Sequence, residues 1–223
     1  MKIVSWNCNR SFRKKYQKLL ELDADVYMIQ ECEPLDKIKG ELKEIISNGF
    51  WEKGRKQNGL LIFAKPDIPL ERLHWDSYGL CAFLPVMVNH TIPLVGVWTQ
   101  ERGYIEEFYV WYRVHQQQIT KDFVIFGDFN SNQSFDKKHD DRSHSVVVDM
   151  LQKDELVSAY HMVTGEEQGK ESVPTYYMYR HLDKMFHIDH CFLRPDKIVS
   201  YNVLDTSWLD LSDHVPVVLE LQE

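Results

Sequence analysis

Along the chain, short apolar runs alternate with polar breaks, and a few stretches carry apolar residues at helical spacing. Lys2–Asn7 opens as a strand that ends in polar residues. Phe12, Tyr16, Leu19 and Leu20 fall at i, i+4, i+7 and i+8, one face of a helix. Asp25–Gln30 reads as a buried strand that Glu31 terminates, and Pro34 suits the first turn of a second helix. That helix carries Leu35, Ile38, Leu42, Ile45 and Ile46 on one side. Gly59–Ala64, Cys81–Val88 and Leu94–Thr99 predict further strands, separated by Gly, Pro and Asn breaks. Ile105, Phe108, Tyr109, Tyr112, Val114 and Ile119 predict a long helix. Phe123–Gly127 is continuously apolar, a strand covered on both faces. Val146, Val147, Met150 and Leu151 mark a shorter helix, and Tyr176–Tyr179, Phe186–Leu193, Val199–Asp205 and Val215–Leu221 complete the strands. This order predicts two sheets packed face to face with helices outside. No repeat, linker or low-complexity segment divides residues 1–223, so one domain is expected.

Composition agrees with a globular chain: 43% of residues are apolar and 13% aromatic. No apolar run approaches the roughly 20 residues that cross a bilayer, so no membrane span is expected. The first residues turn polar at Asn7 without the apolar region of a signal peptide, which predicts a cytoplasmic protein. Cys8, Cys32, Cys81 and Cys191 are far apart and form no CxxC pair, so they read as small buried hydrophobes. The net charge of −8 argues against a protein that coats nucleic acid, but leaves room for an enzyme whose carboxylates hold a cation. Nothing in the chain calls for an obligatory protein partner.

Position makes the polar residues informative. Asn7, Glu31 and the Asp128–Asn130 pair end apolar strands, Asp189 interrupts one, and Asp213 and His214 precede the last. Each alone could be a turn residue or an exposed carboxylate. Together, polar groups at the ends of several buried strands tend to meet at one sheet edge, where loops build sites. Asp189 needs a partner inside its apolar strand, and His214 is a candidate. Strand alternation puts His187 and Asp189 on one face and His190 on the other, which disfavours zinc binding by that trio.

Trp6-Asn7-Cys8-Asn9, Gln30-Glu31, Gly127-Asp128-Phe129-Asn130, Ile188-Asp189-His190 and Ser212-Asp213-His214 occur in the order seen in the endonuclease/exonuclease/phosphatase superfamily, which the chain resembles from Ser5 to His214. The resemblance implies an α+β fold of the DNase I-like kind: a four-layer α/β/β/α sandwich of two mostly antiparallel mixed sheets. At this length it leaves no room for additional binding domains. Asn130-Ser131-Asn132, the His144 region, Ser158-Ala159-Tyr160-His161 and Pro174-Thr175-Tyr176 look like a bacterial subgroup of small members. One departure stands out. Members usually carry His or Tyr near the end of the strand before the long helix, where this chain has Trp98. An indole donates one hydrogen bond and accepts none, so Arg102 or Tyr104 is expected to supply the missing phosphate contact.

The resemblance also assigns roles. Glu31 is the main ligand of Mg²⁺, with Mn²⁺ able to substitute, and Asn7 and Asp213 assist. Asp128 orients and deprotonates the attacking water while Asn130 fixes the phosphate. His214 contacts a phosphate oxygen and Asp189 holds its ring; a rival assignment makes His214 the base. Trp98, Arg102, Asn132, Arg142, His144 and Tyr176 are the expected substrate contacts, Arg142 and His144 from a charged loop that could equally be a solvated surface. The leading activity is hydrolysis of DNA or RNA. A phosphatase or phosphodiesterase for a small phosphate ester or lipid head group is the second, and a catalytically silent binding protein the third.

Overall fold

Burial along Lys2–Asn7 shows how the layers arise. Ile3 belongs to one apolar cluster and its neighbours Val4 and Trp6 to another, so the strand is covered on both faces. Such a strand must lie between two layers. The computed structural model describes residues 1–100 and 103–222. Its first half runs β1 (Lys2–Asn7), α1 (Tyr16–Leu20), β2 (Val26–Cys32), α2 (Glu41–Ile45), β3 (Phe50–Lys53), β4 (Gly59–Ala64), β5 (Leu70–Arg72), β6 (Phe83–Val88) and β7 (Ile92–Trp98). Its second half runs α3 (Ile105–His115), β8 (Val124–Asp128), α4 (His144–Lys153), β9 (Val157–Ser158), α5 (Ala159–Thr164), β10 (Tyr176–Tyr177), β11 (Met185–Phe186), β12 (Asp189–Leu193), β13 (Ile198–Val203) and β14 (Val217–Leu221).

Two six-stranded sheets result, ordered β13-β14-β1-β2-β4-β3 and β5-β6-β7-β8-β12-β9. Each has a parallel pair, β1 with β2 and β7 with β8, within otherwise antiparallel pairing. Inner faces meet through Ile3, Met28 and Ile62 of one sheet and Leu84, Leu94 and Phe126 of the other. Close approach needs a residue without a side chain at Gly96, where an added Cβ would lie 2.8 Å from Ile62 Cδ1. Outside, Phe12, Leu19 and Leu42 cover Val4, Trp6 and Phe63. On the far side, Phe108, Trp111, Tyr112 and Val147 cover Val95, Val97 and Ile125. This is the expected sandwich, α+β, with helices outside. No helix among the described residues is long and apolar enough to cross a membrane.

Local departures from the expected elements have physical causes. The helix expected from Phe12 splits: Phe12–Lys14 is a 3₁₀ turn, Lys15 leaves helical geometry (φ −129°, ψ −13°), and α1 follows. The helix expected after Pro34 likewise divides at Gly40 (φ +65°), because only a glycine takes that conformation cheaply. β2 runs past Glu31 to Cys32 through a register shift. Phe186–Leu193 is two strands: β11 pairs with β10, and β12 pairs with β8. Tyr176–Tyr179 is a strand for only two residues before a turn with Tyr179 at φ +55°. The strands β3, β5 and β9 and the helix α5 had no clear periodic signal. They are short, and β3 and β5 are at most half-buried edge strands.

Candidate active site

The parallel pairs set the position of the site. Asn7 lies beside Gln30 at the ends of β1 and β2, Trp98 beside Asp128 at the ends of β7 and β8, and Asp189 opposite Asp128 where β12 begins. One edge of both sheets therefore carries the strand-end polar residues. The register shift in β2 leaves Glu31 at φ +58°, and such bulges re-aim a side chain beside functional sites. Asn9, Arg10 and Ser11 all have positive φ just after Asn7, the kind of strain a surrounding structure must hold.

Asn7 joins the sheets. Its Nδ2 donates to Asp128 Oδ2 at 2.9 Å and more weakly to Glu31 Oε1 at 3.5 Å. Asp128, fully buried, also accepts from Asn130 N at Oδ1 (2.9 Å) and from Asn130 Nδ2 at Oδ2 (3.0 Å). Burial and the neighbouring Asp189 carboxylate push the Asp128 carboxyl up to about 7, against the pull of His214 and these donors.

Asp189 meets His214: Nδ1 of the ring donates to Asp189 Oδ2 at 2.9 Å, with both side chains buried. Burial alone would lower the His214 pKa, but Asp189 and Asp128 outweigh it and raise it to about 9. The backbone around the histidine is fixed to β1 and β10. Trp6 Nε1 donates to His214 O, Ser212 Oγ to Asn7 O, and Tyr177 N to Asp213 O. The Tyr176 ring leans on the His214 ring with centroids 4.7 Å apart.

Above this network opens a cleft of about 1060 Å³, whose wall includes Glu31, Asn130, Trp98, Tyr176, Arg10 and Arg55. Two groups could hold a cation. One ligating atom each from Asp128, Asp189 and His214 lie within 4.8 Å of one another. That cluster is buried beneath the cleft, and its Nδ1 and several carboxylate oxygens are already engaged. Glu31 instead faces the cleft, with Asn7 beside it and Arg10 Nε 3.6 Å from its Oε2. Glu31 and the Asn7 amide oxygen, which also accepts from Asn9 N, are oxygen donors of the kind a hard divalent cation takes.

Not every expected residue comes to this cleft. Asn132 is buried, donating to Glu171 Oε2 and His187 O while its Oδ1 caps a 3₁₀ turn at Ser134 N. His144 is sealed at the start of α4, its Nδ1 3.2 Å from Ser131 Oγ. Arg142 lies against Tyr109, 5.8 Å from the ring centroid, on the outside of α3. None of these three lines the cleft, and the charged loop folds onto α3, where His139 meets Glu106. Asp213 is half-buried near the site and is not part of the cleft wall. Arg102 falls outside the described residues. His187, Asp189 and His190 form no trio, but the division differs from the alternation expected: the strand begins only at Asp189, the His187 and His190 rings lie 5.2 Å apart, bonding Val173 O and Ser131 O, and Asp189 turns away to His214. Sequence reasoning missed Arg10 and Arg55, since an isolated surface arginine carries no pattern, although Arg10 follows directly on the Asn7 motif.

Several solved structures share this fold over the whole chain. A 3′ phosphatase, NExo, from Neisseria bound to product DNA hairpin superposes with a TM-score of 0.70 at 19% identity, covering 100% of both chains. An AP endonuclease from Archaeoglobus fulgidus gives 0.75 at 17% identity, again covering 100% of both. A humanized D. rerio TDP2 gives 0.67 at 14%, covering 100% of this chain and 99% of that one. Among curated proteins, none matches the chain in sequence. The sequence pattern of the Endonuclease/Exonuclease/phosphatase family matches residues 4–214, nearly the whole chain, and the protein belongs to that family.

Proposed function

We propose that the chain is a divalent-cation-dependent phosphodiesterase that hydrolyses nucleic acid, DNA foremost. The observation that carries the reading is the connected network Asn7–Asp128–Asn130 and Asp189–His214 beneath a cleft that holds, among the described residues, one cleft-facing carboxylate, Glu31, with cations and aromatic rings around it. Arg10 and Arg55 suit phosphates, and the half-buried Tyr176 offers a ring for a base or sugar, whereas Trp98, 8% exposed and packed in the core, contributes only an edge to the wall. The NExo structure holds a DNA hairpin, and another neighbour is an AP endonuclease, which favours DNA.

Each residue then has a chemical task. Asn7 and Asn130 fix both oxygens of Asp128, leaving lone-pair capacity on Oδ1 to orient a water and accept its proton. Asp189 holds His214 through Nδ1, so the ring stays charged and its Nε2–H can donate to a phosphoryl oxygen. Asn130, whose Nδ2 hydrogens go to Asp128 Oδ2 and Thr99 O, would serve the phosphate indirectly, by positioning Asp128. Glu31, aided by Asn7 and Asp213, would hold Mg²⁺ or Mn²⁺, which supplies charge relief at the phosphoryl and leaving oxygens.

The test is hydrolysis by purified protein of abasic, nicked, single- and double-stranded DNA, RNA and small phosphate esters, with and without Mg²⁺, alongside Asp128→Ala. Magnesium-dependent cleavage of a polynucleotide, reduced by about 10²–10⁴ in the variant, is the expected result. Turnover of small esters alone would replace the nuclease reading with a phosphatase. No turnover of any substrate would refute both.

A further inference from the structure

The side of the cleft formed by the β3–β4 turn is built in an unusual way. The turn between β3 and β4, residues 54–58, reaches from the first sheet across to the second. Arg55 N donates to Gln100 Oε1 at 2.7 Å, and Arg55 Nη2 donates to Glu107 Oε1 on α3. Glu107 is buried, whereas the Arg55 side chain is 37% exposed and lines the cleft. Glu107 thus engages one nitrogen, Nη2, of a planar guanidinium with five donors, its other oxygen Oε2 being buried without a partner among the described residues, and other donors of the partly exposed Arg55 remain for the cleft it lines.

Gln100 adds a second donor. Because its Oε1 accepts from a backbone N–H, the orientation of the amide is fixed and its Nε2 must donate. That Nε2 is buried, has no partner among the described residues, and belongs to a residue of the cleft wall. A buried donor left unsatisfied calls for an acceptor. The turn cannot drift away from it. A Cβ at Gly54 would lie 2.7 Å from both Gln100 Nε2 and Trp98 Cζ3, so glycine lets the turn settle directly on those side chains. A guanidinium edge and an amide N–H together suit an oxyanion.

We infer that Arg55 and Gln100 form a second phosphate subsite, so that the cleft selects substrates with a phosphate on each side of one sugar over lone phosphate esters. The inference rests on the proposed phosphodiesterase reading and names its substrate class. Arg55 and Gln100 are specificity-determining residues; Glu107 is a positioning residue that aims the guanidinium without touching substrate.

Calorimetric titration of the full chain in Mg²⁺ with adenosine 3′,5′-bisphosphate, and with the 3′- and 5′-monophosphates, tests it. A charge-assisted bond at the second phosphate should make the bisphosphate bind about tenfold tighter or more than either monophosphate. Arg55→Ala should collapse that ratio towards one, and Arg55→Lys should recover only part of it, since an ammonium cannot reproduce the fork. Glu107→Gln should lower the ratio less than Arg55→Ala does. Thermal unfolding checks that each variant is folded, and Arg55→Lys keeps the test valid if removing the latch unfolds the alanine variant. Equal affinities in the wild type, or a preference that survives in a folded Arg55→Ala protein, would overturn the inference. Because binding is read without turnover, failure here is distinct from failure of the hydrolysis assay.

Discussion

Acidification should weaken the fold through His144 in a way that one substitution isolates. The ring is 1% exposed, and burial, partly offset by Asp136 and Glu171, lowers its pKa from 6.5 to about 4. In the unfolded chain the same ring takes up a proton near its ordinary pKa. Below about 6.5 the unfolded state therefore binds more protons than the folded state, and stability falls as pH falls until the folded ring also protonates. Taking 6.5 and about 4 for the two states, the loss between pH 7.5 and 4.5 is about 2.5 kcal/mol, a sizeable share of the roughly 5–15 kcal/mol that holds a domain folded. The wild-type pH profile alone cannot display this. Asp128, raised by burial, contributes with the opposite sign over much of the same range. The observable is the gap between wild type and His144→Asn, whose amide can keep the contact with Ser131 Oγ. Urea unfolding at pH 7.5, 6.5, 5.5 and 4.5 measures it. At pH 7.5 the variant should be less stable by about 1–3 kcal/mol from lost packing. By pH 4.5 that gap should have shrunk by about 2.5 kcal/mol. A gap constant across the series, or a His144 ring proton that titrates near pH 6.5 by NMR, would refute the reasoning.

Other substitutions test the site and the packing around it. Gly127 has φ +149°, and a Cβ there would lie 2.0 Å from Val97 O, a backbone atom that cannot move aside. Gly127→Ala should cost more than about 3 kcal/mol in urea unfolding, while Gly96→Ala, opposed by the mobile end of Ile62, should cost about 1–3 kcal/mol; equal costs would contradict this ranking. Asp189→Asn removes the carboxylate that keeps His214 charged, so hydrolysis should fall about a hundredfold or more, and the alkaline limb of the pH–rate profile should move to lower pH; an unmoved limb would assign the titration elsewhere. Mg²⁺ at ten times its Kd should stabilise the protein by about 1.4 kcal/mol, read as a rise in Tm. Glu31→Ala should abolish that rise, and an undiminished rise would place the cation at the buried Asp128–Asp189–His214 cluster instead.

Several features were legible in the sequence because they follow from local rules. Strands with apolar residues on both faces, such as β4 and β8, announce a layer on each side, and this led to paired sheets with outer helices. Polar residues at the ends of such strands marked the site edge, and an acidic residue inside an apolar strand demanded a partner that proved to be His214. The matching motif order carried the family. What the sequence by itself determined was therefore the class of fold, the strand ends that gather at one edge, and the residue types able to hold a cation and a phosphate.

Only the tertiary structure decided which neighbours those residues meet. Hydrogen-bonding reach is about 3 Å, and no periodicity in a chain reports it. Asn132 and His144 sit within the same stretch as Asp128 and Asn130, yet the chain turns after Ser131 and seals them away from the cleft, Asn132 on His187 O and Glu171 and His144 against the Ser131 hydroxyl. Arg55 was one exposed arginine among many until the β3–β4 turn crossed to the second sheet and Glu107 took hold of its guanidinium. The physical reason is the same in both cases. Local pattern fixes whether a side chain is buried and on which face, whereas long-range closure of the two sheets fixes what stands opposite it.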